Sequence, residues 1–305
     1  MVTFYLKRQE PVEYGARRIA TELMTSAIRL LLDSDVDPVV AIHELRKHCK
    51  MMRGLLRLIR TASPSMYRTE NARFRDLAQR FSGDRDDDVA WELLRRLADP
   101  SQDRRVRQAA AEAQAMLEQR RARASHRGTV KWEQAVDELL SAIESIASWP
   151  LDGLQPQDAV TGFRRIYSRG RHQLKRLDAS ADVHAVHEFR KSVKYHWYHV
   201  RLLKRVAPKK IRRREKLLDA LGERLGYHHD LAILQARLSD ASGACSATRD
   251  AESDAERWKP LLEYVRLEQA RVLGDLLPLA HRLYAPKPGS LAKKLRGSWI
   301  SSWPH

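Results

Sequence analysis

The segment AIHELRKHCKMMRGLLRLIRTASP, Ala41 to Pro64, returns 144 residues later, without a gap, as AVHEFRKSVKYHWYHVRLLKRVAP, Ala185 to Pro208. Nine of the 24 aligned positions are identical, where chance composition gives about two, so the chain is an internal duplication and its fold must be assembled from two similar units. The identities are mainly charged (His, Glu, Arg, Lys, Lys, Arg beside Ala, Leu and Pro), which points to a shared ligand site as well as a shared core. The register continues past the motif. Leu77, Arg80 and Phe81 align with Leu221, Arg224 and Leu225, and FSGDRDDDV (Phe81 to Val89) lies opposite LGYHHDLAI (Leu225 to Ile233), pairing Arg85 with His229 and Asp86 with Asp230.

Scarce glycine and abundant Ala, Leu, Arg and Glu favour helices throughout, with little or no sheet. Periodicity and punctuation predict helices near Pro11–Asp33, Pro38–Arg60, Met66–Ala98, Pro100–Ser125 and Thr129–Trp149 in the first half. Leu151 to Gln157 reads as a connection. The second half is expected to form helices near Gln157–Leu177, Val183–Val206, Lys209–Ser239 and Asp250–Leu283, and the tail from Pro286, with Lys287, Lys293, Lys294, Arg296, Trp299 and Trp303, reads as packing late or staying mobile. The two units are therefore placed at residues 1–150, with a central helix, and 151–305, with the basic tail.

Two cysteines, Cys49 and Cys245, are too few for a disulfide scaffold and read as inert thiols in a reducing compartment. The opening MVTFYLKRQEP lacks a signal-peptide core and no apolar run is long enough to span a bilayer, so the expected location is cytoplasmic, without membrane insertion. The net charge of +17 implies an anionic partner. Between Thr161 and Lys216 stand 18 Lys and Arg against 4 Asp and Glu, which places most of the excess around the second motif copy.

Advancing about 100° per residue from His43, the residues Arg46, Lys50, Arg53 and Arg57 fall within an arc of about 80°. The apolar residues Ile42, Leu45, Cys49, Met52, Leu56 and Ile59 fill the adjacent arc, so the basic stripe borders the core side. His187, Arg190, Lys194 and Arg201 repeat it, with Trp197 in the place of Arg53. A solvated face is the ordinary reading of one basic stripe, but it gives no reason for His to open both copies and for Arg and Lys to keep their offsets. Arginine offers a planar fork to phosphate oxygens, lysine a mobile charge and histidine a further donor, a set suited to a phosphate chain.

Other residues read differently. His184 and His187 are spaced to share a metal, but Arg190, Lys191 and Lys194 would repel a cation, so no metal site is expected. His196 lies on the apolar arc as a core histidine. His228 and His229 diverge on a helix, leaving His229 as the site candidate. Asp86, Asp87 and Asp88 point in different directions and read as surface residues or partners of arginine.

HELRKHCKMMR and HEFRKSVKYHWY, extended as H-x-x-R-K-x-x-K and followed by the L-G-x-x-H-D element of Leu225 to Asp230, resemble the CHAD family, the conserved-histidine α-helical domains, over nearly the whole chain. The resemblance implies an all-α fold of two four-helix-bundle-like repeats related by a pseudo-twofold axis around a basic groove or cavity that binds inorganic polyphosphate. It also implies association with polyphosphate or storage-polymer granules. The family's histidine matches His43 and His187; its basic positions match Arg46, Lys50 and Arg53 in one copy and Arg190 and Lys194 in the other. Lys47, Arg57, Lys191 and Arg201 extend the two stripes, and Arg85 and His229 join them through the second paired element. Trp197 departs from the family's usual Arg, Met51 from a frequent basic residue and Ser82 from the glycine found at Gly226. The E-x-E-x-K signature of a fused triphosphate-tunnel domain is absent, so a stand-alone form is expected.

Three functions compete. Polyphosphate binding without catalysis leads. Nucleic-acid (RNA) binding uses the same electrostatics, with Tyr195, Trp197 and Tyr198 as possible stacking platforms, although core or wall packing suits these aromatics better. An enzyme with a histidine as phosphoryl acceptor or general acid lacks a carboxylate spaced to orient the ring, so neither a catalytic residue nor a cofactor is expected.

Overall fold

Proline at the first helical position and side chains that accept from backbone amides of the first turn mark where helices of both halves begin. Asp37 Oδ1 accepts from the Val39 amide at 2.7 Å ahead of Pro38. Ser63 Oγ accepts from Met66 N at 3.3 Å ahead of Pro64. The Asp158 carboxylate accepts from Gln155 N at 3.0 Å around Pro156, and Asp182 Oδ1 accepts from Ala185 N at 2.8 Å. The computed structural model describes residues 2–81, 85–99, 103–124, 132–178, 180–244 and 250–300, of which 85, 120–124, 241–244 and 250–257 are described as backbone only.

Among the described residues the chain is all-helical: α1 (Val12–Leu32), α2 (Pro38–Ile59), α3 (Pro64–Arg80), α4 (Arg85–Leu97), α5 (Arg104–Ala124), α6 (Trp132–Ala147), α7 (Pro156–Leu174), α8 (Val183–Leu202), α9 (Lys209–Arg212), α10 (Arg214–Ala244), α11 (Asp250–Tyr284) and α12 (Pro288–Ile300). The motif copies form α2 and α8. No helix among the described residues is long and apolar enough to cross a membrane.

Two expectations are corrected. The single helix over Met66–Ala98 is two, α3 and α4: α3 ends at Arg80 with Phe81 as its C-cap, and Asp86 to Asp88 supply the acidic first turn of a new helix. The helix over Lys209–Ser239 is broken at Arg213, leaving α9 as one short turn before α10. Of the two courses expected of the tail, its described part packs. Leu291, Leu295 and Trp299 recur every four residues, and α12 buries them with Ala292 as it packs along α7. Trp303 lies outside the described residues.

Two apolar cores result, and each draws on both halves of the sequence. The larger gathers α1, α2, α3, α6, α7, α8 and α12 with Leu218, Leu221 and Leu225 of α10 and Leu273, Leu276 and Leu283 of α11. The smaller is a bundle of α4 and α5 with Leu231, Leu234 and Leu238 of α10 and Trp258, Leu261 and Val265 of α11. The two long helices thus run in opposite directions between the cores, α10 leaving the larger and α11 returning to it.

The centre of the larger core is unusually close-packed. A Cβ at Gly162 of α7 would lie 2.0 Å from the Leu58 carbonyl oxygen of α2, so the two helices touch backbone to backbone. At Gly54 of α2 it would lie 2.9 Å from Cβ of Tyr198 on α8. Backbone cannot yield as a rotamer can, so Gly162→Ala should cost about 3 kcal/mol, at the upper end of the overpacking range. Gly274→Ala, in the exposed interior of α11 with nothing within 4 Å, should instead stabilise by about 0.5–1 kcal/mol through helix propensity. Urea titration of the two variants beside the parent protein measures both.

Candidate functional site

The contact at Gly54 brings the two basic stripes into one region, and the chemistry of the site begins with how so many cations are held. On α2, Arg46 Nη1 donates to the Ala78 carbonyl of α3 at 3.0 Å. Arg53 Nε and Arg57 Nη1 converge on Asn71 Oδ1 of α3, at 3.2 and 2.6 Å. Arg57 also donates to the Arg53 carbonyl at 3.0 Å and lies 3.9 Å above the Tyr195 ring of α8. Burial lowers its pKa, and the Tyr195 and Tyr67 hydroxyls oppose that shift. Arg57 is thus a fixed strut between α2, α3 and α8. His43, Lys47 and Lys50 are exposed, while Arg46, Arg53 and Arg57 are half-buried.

On α8 the same work falls to aromatic faces. Lys194 Nζ lies 5.0 Å and the Arg201 guanidinium 4.7 Å from the Trp197 ring; such faces attract cations through their quadrupole. Trp197, the departure from Arg53, therefore replaces one charge by a platform for two. Arg201 Nε lies 3.8 Å from Glu215. A Cβ at Gly222 of α10 would meet Lys194 Nζ at 3.1 Å, and one at Gly226 would lie 3.9 Å from Arg190 Nη2, so these glycines leave room for the cations beside α10. Lys47 and Lys191, at equivalent positions, ion-pair with the equivalent Glu44 and Glu188 on their own helices.

His187 and His229 meet across α8 and α10, Nδ1 to Nδ1 at 3.3 Å, with ring centroids 4.6 Å apart. One ring must be neutral for its nitrogen to accept. Burial, then the charges of Arg190, His187, His228 and Lys50, push the His229 pKa down to about 4. Burial, Lys191 and Arg190 lower that of His187. The field of Lys50 from α2 acts here beside Arg190 from α8, so residues of both motif copies bear on one histidine. His229 sits on α10 between Leu225 and Leu231, where that helix passes from one core to the other.

The remaining candidates separate cleanly. Arg85 opens α4, but its side chain, and with it any contact to His229, lies outside the described residues. His228 is buried, and His196 is a core histidine bonded to the Tyr284 hydroxyl at 3.2 Å. Asp87 pairs with Arg237 at 2.7 Å, tying α4 to α10. Burial raises the Cys49 thiol to about 12, leaving it protonated at neutral pH; Cys245 lies outside the described residues. Asn71 and Glu215 were not foreseen, yet they are counterparts at the 144-residue offset and bind counterpart arginines, Arg57 and Arg201.

Residues 21–239, from α1 to α10 and including both motif copies, match the family model of the CHAD domain. The chain belongs to the CHAD family. A crystal structure of the CHAD domain from the plant Ricinus communis shares its fold, with a TM-score of 0.64 at 18% identity over 93% of this chain and 95% of that one. No curated protein matches the sequence. Within this CHAD fold the histidines carry an acid-lability. His199, fully buried with Nε2 3.1 Å from the Gly54 carbonyl, is pushed by burial to about 3, and His196 well below its ordinary value. A group whose folded pKa is depressed contributes stability that is complete above its unfolded value, about 6.5, and is lost as pH falls through the folded value. Stability measured by urea at pH 7, 6, 5 and 4 should therefore fall steadily, and His199→Gln should flatten the fall.

Proposed function

We propose that this protein binds inorganic polyphosphate without catalysing its turnover, holding the polymer along the stripes of α2 and α8 where they approach the His187/His229 pair. The observation that carries the reading is that pair, 3.3 Å apart between α8 and α10 and held near neutrality by burial first and then by the charges of Arg190, Lys191 and Lys50. An anion bound beside the pair would favour protonation of both rings, and each could then donate to it. Membership of the CHAD family supports the ligand class. Two counterpart contacts support a pseudo-twofold relation of the repeats: Gly54 touches Tyr198, its own counterpart, as residues at such an axis must, and Asn71/Arg57 is matched by Glu215/Arg201. A binding role fits the His187 ring better than a catalytic one, because its Nδ1 faces His229 instead of a carboxylate that would orient it. Residence on polyphosphate or storage granules in the cytoplasm would follow from the ligand.

Binding should release condensed counterions, so affinity for long-chain polyphosphate, measured by calorimetry at two salt concentrations, should fall steeply with salt. Excess single-stranded RNA of equal charge should not displace it. Displacement by RNA, or no binding, would replace this function with nucleic-acid binding. Arg190→Glu should weaken binding by about tenfold or more, an opposed charge contact being worth more than about 1.4 kcal/mol when partly buried, and Lys50→Glu, at an exposed position, should weaken it by about threefold to tenfold. Arg96→Glu, on the exposed face of α4, should change it by less than about twofold.

Because the anion favours the protonated rings, binding takes up protons and should tighten as pH falls from 7 toward 5, above the free His229 value of about 4. Calorimetry in buffers of different ionisation enthalpy reads that uptake, and His229→Gln should reduce it.

A further inference from the structure

We propose that the anion track does not stop at Arg201 but runs on over a basic end of the molecule, so that one long polyphosphate occupies both. This inference rests on the function proposed above. From Leu203 to Arg214 the sequence LKRVAPKKIRRR holds 7 Lys and Arg and no Asp or Glu. Arg214 is buried and donates to the Leu283 carbonyl, whereas Arg205, Lys209, Lys210, Arg212 and Arg213 are exposed. The N-terminal strap is fastened beside them. Leu6 N donates to the Leu202 carbonyl at 2.8 Å and Arg8 Nε to the Arg205 carbonyl at 2.8 Å. This strap carries Lys7 and Arg8 and has no acid before Glu10, which Arg18 already engages.

The basic end is continuous with the stripe through alternating cations and rings. Lys194 and Arg201 share Trp197, Arg201 lies 5.5 Å from Phe4, and Lys204 and Arg205 lie 4.8 and 5.0 Å from Tyr5. Each of these rings already carries a cation, so a base could stack on it only by displacing that cation; a phosphate chain needs no such opening. Concentrating positive charge without acids costs self-repulsion that an anion relieves. The helical stretch from His187 to Arg201 is about 21 Å long, so a short polymer placed at the histidine pair leaves the basic end empty.

The test compares tripolyphosphate with long-chain polyphosphate by calorimetry at one salt concentration, using the full chain and a variant with Lys209, Lys210, Arg212 and Arg213 replaced by Ala, its fold checked by circular dichroism. Long-chain affinity should fall by about tenfold or more while that for tripolyphosphate changes by less than about twofold, and the salt dependence for the long chain should become shallower. A second variant, Arg8→Ala with Arg205→Ala, should act in the same direction even if the first folds poorly. Unchanged long-chain affinity, or an equal fall for both polymers, overturns the extended track. A loss of RNA affinity with polyphosphate affinity intact reassigns the basic end to nucleic acid. If the unaltered protein binds neither polyphosphate, the proposed function fails and this inference with it.

Discussion

The approach of α2 to α8 at Gly54 is the contact on which the arrangement of charge depends. Tyr198 occupies the space a larger residue at position 54 would need, and the buried His199 beside it bonds the Gly54 carbonyl. With the motif helices held this close, and α7 laid directly on the backbone of α2 at Leu58, the two stripes cannot turn to opposite sides of the molecule. Lys50 then acts on a histidine that α10 supplies, and Arg57 rests on a tyrosine that α8 supplies. The larger core carries the cost of bringing those cations together.

Much of this was legible in the sequence. The repeat, the helical class, the position of the motif helices and the divergence of His228 from His229 all follow from spacing, because a 3.6-residue period places side chains on faces before any tertiary contact exists. What spacing could not show was which groups hold the cations in place. Asn71, Tyr195 and Gly222 lie on other helices from the arginines and lysines they accommodate, so their roles appear only when those helices are packed. The counterpart relation of Asn71 to Glu215 was present at the same offset as the motif, but two different residue types conceal a shared position.

The two halves diverge where their local chemistry diverges. α10 runs without a break through Leu225, whereas the counterpart Phe81 caps α3 and closes that helix. The tail was open to either packing or mobility, and the four-residue recurrence of Leu291, Leu295 and Trp299 decides for packing, since burying a leucine contributes about 1.5–3 kcal/mol.

A histidine among arginines has a use that a further arginine would lack. Arginine remains charged whether or not an anion is present, so each one added to a site raises the repulsion that the free protein must bear. Histidine responds to its surroundings: buried, and beside Arg190, the His229 ring stays neutral, and the two rings can share one hydrogen bond. When negative charge enters, the same ring can protonate and become a donor. Under the proposed function the His187/His229 pair would supply cationic contacts on demand, at the place where α10 crosses between the two cores.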